Sequence, residues 1–140
     1  MSIRVFYDYS NFRIKGWKKT RSLIEKVISF EGKSTGDLNF ILTTDKILKE
    51  INSEFLKHYY NTDVISFNYG DENCITGEVY ISIETVKINA KNYKVSYRIE
   101  LVRVMIHGVL HICGYEDRND SEKGEMKKKE EFWLKVHNEL

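Results

Sequence analysis

The run Ser96-Tyr97-Arg98-Ile99-Glu100-Leu101-Val102-Arg103-Val104-Met105-Ile106-His107-Gly108-Val109-Leu110-His111-Ile112-Cys113-Gly114 decides how this chain is built. Ile99, Leu101, Val102, Val104, Met105, Ile106, Val109, Leu110 and Ile112 spread around the whole circumference of a 3.6-residue period. A helix that is apolar nearly all round is a buried one, so this segment is expected to be central. Ser96 is placed to cap its start with a hydroxyl oxygen, and Gly114 to stop it by taking the left-handed conformation.

The flanking segments are read outward from that helix. Residues 84–93 are expected to be helical, and 76–83 to form a strand in which Val79, Ile81 and Ile83 alternate. Residues 64–67 are short and β-rich, and 68–73 are turn-like. Thr44-Asp45 can cap a helix over 46–57 with the stripe Ile47, Leu48, Ile51 and Phe55. Leu38, Phe40 and Leu42 alternate through a strand over 37–43. Leu23, Ile24, Val27 and Ile28 mark a helix over 18–30 that Gly32 ends, and residues 3–7 form a first strand. A last charged helix occupies about 120–138. Its Met126, Trp133, Leu134 and Val136 are expected to pack inward, with Lys127-Lys128-Lys129-Glu130-Glu131 on the solvated face. Strands clustered early, with helices between and after them, predict an α+β fold: a small mixed sheet of about four strands packed with several helices.

With 140 residues, no proline and no Gly/Ser-rich linker or repeat, residues 1–140 are expected to form one domain. A hydrophobic fraction of 41% can build a core, while a net charge of +1 gives almost no global field to attract phosphates. Any nucleic-acid contact must therefore be local. Two distant cysteines, Cys74 and Cys113, suit a reducing compartment. Asp8 interrupts the N-terminus before a signal-like apolar run develops, and no stretch is long enough to span a bilayer. A cytoplasmic protein without membrane partners is the expectation.

His107 and His111 lie four residues apart on the central helix, hence on one face and about 6 Å apart along its axis. Two imidazoles so placed can converge on one cation. They can also be core histidines bonded to carbonyls, because a bare H-x-x-x-H pattern is weak. The stop at Gly114 lets the chain fold back and bring Asp117 to the same ion, which favours a metal site. Glu116 is the competing carboxylate. The spacing is similar to that of metzincin zinc proteases, but these carry a glutamate general base directly after the first histidine, where this chain has Gly108. Peptide hydrolysis by that route is not expected. No other residue stands out as a general base. Glu100, seven residues before His107 on a similar face, is placed either to orient a ligand imidazole or to cap the helix start. His58 and His137 lack ligand-like spacing and are expected at the surface.

The segment His107-Gly108-Val109-Leu110-His111-Ile112-Cys113-Gly114-Tyr115 resembles the H-G-x-L-H-x-x-G-Y signature of the YbeY family of bacterial rRNA-maturation endoribonucleases. Asn52 with Thr62-Asp63-Val64-Ile65-Ser66-Phe67 is similar to a second family block, and Gly77-Glu78-Val79-Tyr80-Ile81-Ser82 to a third, with Glu78 in place of aspartate. The resemblance implies a metal-dependent endoribonuclease that cuts single-stranded rRNA in 16S rRNA 3′-end maturation and ribosome quality control. It implies one zinc per chain on His107, His111 and Asp117, and pocket positions for Asp63 and Ser66. Implied partners are ribosomal RNA, the small ribosomal subunit, the Era GTPase and a small-subunit protein.

Two departures bear on that expectation. The commonest family pattern ends in a third histidine where this chain has Asp117. A carboxylate ligand adds negative charge, weakens the Lewis acid and lets manganese or iron compete with zinc. An arginine common in the family falls where Leu56 stands. Lys57 or His58 can supply charge there but not the bidentate fork. The RNA is expected to lie along an exposed strand over 77–82. The alternative reading is a ribosome-assembly factor that holds its metal structurally.

Overall fold

The computed structural model describes residues 2–8, 12–56 and 63–138. Its elements run β1 (Ile3–Tyr7), α1 (Trp17–Phe30), β2 (Ser34–Thr43), α2 (Asp45–Ile51), β3 (Val64–Asn68) and β4 (Cys74–Ser82), then α3 (Ile83–Tyr93), α4 (Tyr97–Ile112) and α5 (Asp120–Asn138). A π-helical turn, Asn52–Leu56, continues α2. The fold is α+β. Its sheet has the order β1-β2-β4-β3, with β1, β2 and β4 parallel and β3 antiparallel to β4.

Each boundary has a local cause. Ser96 Oγ accepts the Ile99 N–H at 3.1 Å and starts α4; Thr44 and Ser82 cap α2 and α3 in the same way. Gly114, at φ 112°, ends α4 in a Schellman motif. The Tyr115 N–H donates to the Leu110 carbonyl and the Gly114 N–H to that of His111, both at 3.0 Å. The alternation through β2 and β4 sends Leu38, Phe40 and Leu42, then Ile75, Val79 and Ile81, into the core. There they meet Leu23, Ile24, Val27 and Ile28 of α1 and the apolar girth of α4.

Helix α4 approaches the sheet closely at Gly108. A Cβ there would lie 2.6 Å from Val79 Cγ1 and 3.1 Å from Ser66 Oγ. The glycine therefore serves packing: it lets the helix backbone come within hydrogen-bonding reach of β3, where Ser66 Oγ donates to the Gly108 carbonyl at 3.1 Å.

Three expectations need correction. The strand over 77–82 is not an exposed platform, because β4 is bonded to β2 on one side and to β3 on the other. Among the described residues, the strand beside α4 with a single partner is β3. His137 is buried rather than at the surface, at 4% exposure, and shares a 3.3 Å hydrogen bond between its Nε2 and Thr20 Oγ1. Glu130 is also buried at 4%, so the charged run 127–131 is not wholly a solvated face. The reason is periodicity. Met126, Glu130, Trp133 and His137 follow one another at intervals of four, three and four, which is the buried stripe of α5.

Gly108→Ala is expected to lower unfolding free energy by about 1–3 kcal/mol, the usual result of overpacking a core contact. Urea denaturation of the metal-free protein measures it. Burial, reinforced by Lys19 and Arg98, holds the His137 imidazole below its ordinary pKa of 6.5. Stability from the neutral imidazole is thus present above the unfolded value of about 6.5 and is lost as pH falls below it. The Tm in chelator should fall from pH 7 to pH 5, and His137→Gln should flatten part of that fall.

Candidate metal centre and its cleft

Residues 107 and 111 share a face of α4, and the turn after Gly114 returns the chain so that Asp117 meets them. His107 Nε2 and His111 Nε2 are 3.0 Å apart, and Asp117 Oδ2 lies 3.5 Å from the first and 3.4 Å from the second. The opposite ring nitrogens fix the tautomers. His111 Nδ1 lies 2.9 Å from the Tyr115 carbonyl, which can only accept, so the nitrogen carries the proton and donates. His107 Nδ1 donates to Glu130 Oε2 at 2.5 Å. In the neutral form of both rings the two Nε2 atoms then present lone pairs to each other and to a carboxylate oxygen. Three acceptors crowded without a donor repel one another, and a cation among them removes the conflict. Two imidazoles and one carboxylate are a donor set that zinc accepts, as do manganese and iron. His107, His111 and Asp117 are thus a group able to hold a metal ion.

The partner of His107 is Glu130, not Glu100. Glu100, at 1% exposure, spends both oxygens on Arg103: Nε donates to Oε1 at 2.8 Å and Nη2 to Oε2 at 2.6 Å. Arg103 Nη1 then donates to Glu130 Oε1 at 2.8 Å. These bonds, Glu100 first, push the guanidinium pKa above its ordinary value against the opposing effect of burial. Asp63 stands 3.7 Å from Arg103 Nη2. Lys57 and His58 lie outside the described residues, and Leu56 closes the π-helical turn.

The three converging groups open into a cleft of about 670 Å³ between α4 and β3 that Asp63, Ser66 and Asn52 also line. Among its described lining residues, the carboxylates of Asp63, Glu116 and Asp117 outnumber the single guanidinium of Arg103. A second groove of about 700 Å³ runs between α4 and α5 and shares Arg103, His107 and Asp117 with the first. Its walls are more apolar, with Tyr93, Ile99, Met126 and Leu134, and it carries Lys123 and Lys127 beside the carboxylates of Glu100, Glu130 and Glu131. Cys113 adjoins the site as a half-buried thiol whose pKa burial, with the charge of Glu31, pushes up to about 11. It is protonated at neutral pH and no nucleophile.

The sequence pattern of one family, endoribonuclease YbeY, matches residues 8–138. The chain belongs to the endoribonuclease YbeY family. It is similar to the endoribonuclease YbeY of Flavobacterium psychrophilum, with 47% identity covering 94% of this chain and 95% of that protein. It is also similar to that of Christiangramia forsetii, with 40% identity covering 90% and 88%. Among solved structures it resembles TM1509 of Thermotoga maritima, at a TM-score of 0.65 and 29% identity, covering 97% of this chain and 89% of that one. Membership makes the chain an endoribonuclease, a hydrolase of RNA phosphodiester bonds.

Glu130 and Arg103 were missed in the sequence, although both left a signal there. Glu100, Arg103, His107 and His111, spaced by three, four and four, draw one polar line down an otherwise apolar helix. Glu130 occupies an apolar register of α5. A charge in a buried register requires a partner, and the polar line of α4 supplies it.

Asp117→Ala should abolish high-affinity metal uptake, whereas Glu116→Ala should leave it near the wild-type level. Zinc titration against a chromogenic chelator checks both, and the reverse pattern would make Glu116 the third ligand.

Proposed function

We propose that this chain is a metal-dependent endoribonuclease of rRNA, acting in 16S rRNA 3′-end maturation and ribosome quality control. The proposed cofactor is one divalent cation, zinc before manganese or iron, held by His107, His111 and Asp117. The observation that carries the reading is the convergence of His107 Nε2, His111 Nε2 and Asp117 Oδ2 to within 3.5 Å of one another.

When bound, such a cation supplies Lewis acidity, polarising a phosphoryl oxygen and easing deprotonation of the attacking hydroxyl or water. The protein's own part is to position and to exclude. Glu130 and the Tyr115 carbonyl hold the two imidazoles in the tautomers that point Nε2 at the cleft. The described charges of that cleft are mostly carboxylates, which repel an RNA backbone, so phosphate binding there depends on added positive charge. A strand of RNA would follow the cleft beside β3, passing Asp63 and Ser66, and reach the apolar groove where Lys123 and Lys127 stand. The residues common to both grooves, Arg103, His107 and Asp117, support a reading in which the scissile phosphate lies where the grooves meet.

The proposal extends to residues 1–140 acting as one domain in the cytoplasm, on the small ribosomal subunit. Its proposed protein partners are the Era GTPase and a small-subunit protein. No helix among the described residues is long and apolar enough to cross a membrane.

Purified protein incubated with structured rRNA should cleave it, lose that activity to a chelator and regain it with zinc. His111→Ala should lose at least ~90% of bound metal, since one of three ligands is gone, and cleavage should fall in parallel. Unchanged metal content in His111→Ala would sink the assignment. Metal-loaded wild-type protein that leaves rRNA intact would instead identify an assembly factor.

A further inference from the structure

We propose that Arg103 is a positioning residue of the metal centre, acting through Glu130 to fix the imidazole of His107. The proposal rests on the metal-centre reading above and adds a group that does not touch the ion.

The geometry is a chain of four charged or polar groups. Glu100 grips the guanidinium through a two-bond fork, the guanidinium donates to one oxygen of Glu130, and the other oxygen of Glu130 accepts from His107 Nδ1. A carboxylate turns easily about its terminal torsion, which has a broad and roughly two-fold profile. A single contact with His107 would leave that torsion soft. Arg103 anchors the opposite oxygen, so Glu130 is held from both ends, and the ring plane of His107 is fixed with it. Glu100 does the same one step back: its fork leaves the guanidinium plane no freedom to rotate.

Charge also points to Arg103. Glu100 and Glu130 are 1% and 4% exposed, and both lie on the one guanidinium. Two buried carboxylates without that cation repel each other and draw away from their present places. The network is a poor device for stability alone, because hydrophobic side chains of similar volume serve as well. Its placement explains it better: Arg103 sits one helical turn before His107 and forms part of the wall of both grooves.

The test measures zinc affinity by chelator competition, and the cobalt absorption spectrum, in wild type and variants. Arg103→Gln is expected to weaken zinc binding by about tenfold or more, the usual effect of losing an outer partner of a ligating histidine. Glu130→Gln should do the same, and the double variant should lose no more than the worse single, because one acts through the other. Arg103→Lys restores the charge without the fork and should recover only part of the affinity. If Arg103→Gln folds poorly, Glu100→Gln/Arg103→Gln removes one charge of each sign and should show the same tenfold loss with a native far-UV spectrum.

Unchanged zinc affinity and an unchanged cobalt spectrum in a folded Arg103 variant would overturn the proposal. So would losses in Arg103→Gln and Glu130→Gln that multiply in the double variant. Wild-type protein that takes up no metal would overturn the metal-centre reading itself, a distinct result.

Discussion

Helix α4 lies against the sheet with no room for a side chain at Gly108, and the site's geometry follows from that contact. The helix is apolar nearly all round, so it must be covered on every side except along the line of its polar residues. Close approach at Gly108 presses one flank onto Val79 and Ser66 and turns the line Glu100, Arg103, His107, His111 toward the gap between β3 and α5. A side chain at position 108 would lift the helix away from β3 and widen the cleft. The position that carries the glutamate general base in metzincin zinc proteases is here given over to packing, and the chemistry must come from elsewhere.

Much of this was legible in the sequence. Long, strongly patterned segments fixed α1, α4 and α5 to within a residue or two, and the hydroxyl caps at Thr44, Ser82 and Ser96 mark real helix starts. The pair His107 and His111 follows from helical spacing alone, and the left-handed turn at Gly114 accounts for the return of Asp117. The order of strands was not legible. Whether β4 lies at an edge or in the interior depends on which strand pairs with which, and alternation along one strand says only which face is buried. That is why β4 read as exposed and is in fact central.

The second gap was electrostatic. Charged residues are assigned to the surface by default because isolated charges stay in water. Glu130 and Glu100 break the default together with Arg103, and no one of the three looks unusual alone. His137 follows the same pattern with a hydroxyl partner, Thr20, which lies 117 residues away in sequence. Polar groups that satisfy each other across such distances are visible only once the helices are docked. Their local signal is confined to register: Glu130 and His137 fall on the buried stripe of α5, and Glu100 and Arg103 on the polar line of α4.

The support of His107 by Glu130 has a consequence for the order in which the centre is made. The three groups that converge lie between residues 107 and 117, within one helix and the turn that follows it. The carboxylate that steadies one of them, His107, belongs to α5, a separate helix that ends at Asn138. A growing chain therefore exposes its three donors before it possesses the helix that orients His107. The finished arrangement of donors needs docked α5, and binding of an ion there would favour that docking with free energy that the free segment 107–117 lacks. A metal held by these residues would thus be a late fastener between the last helix and the rest of the fold.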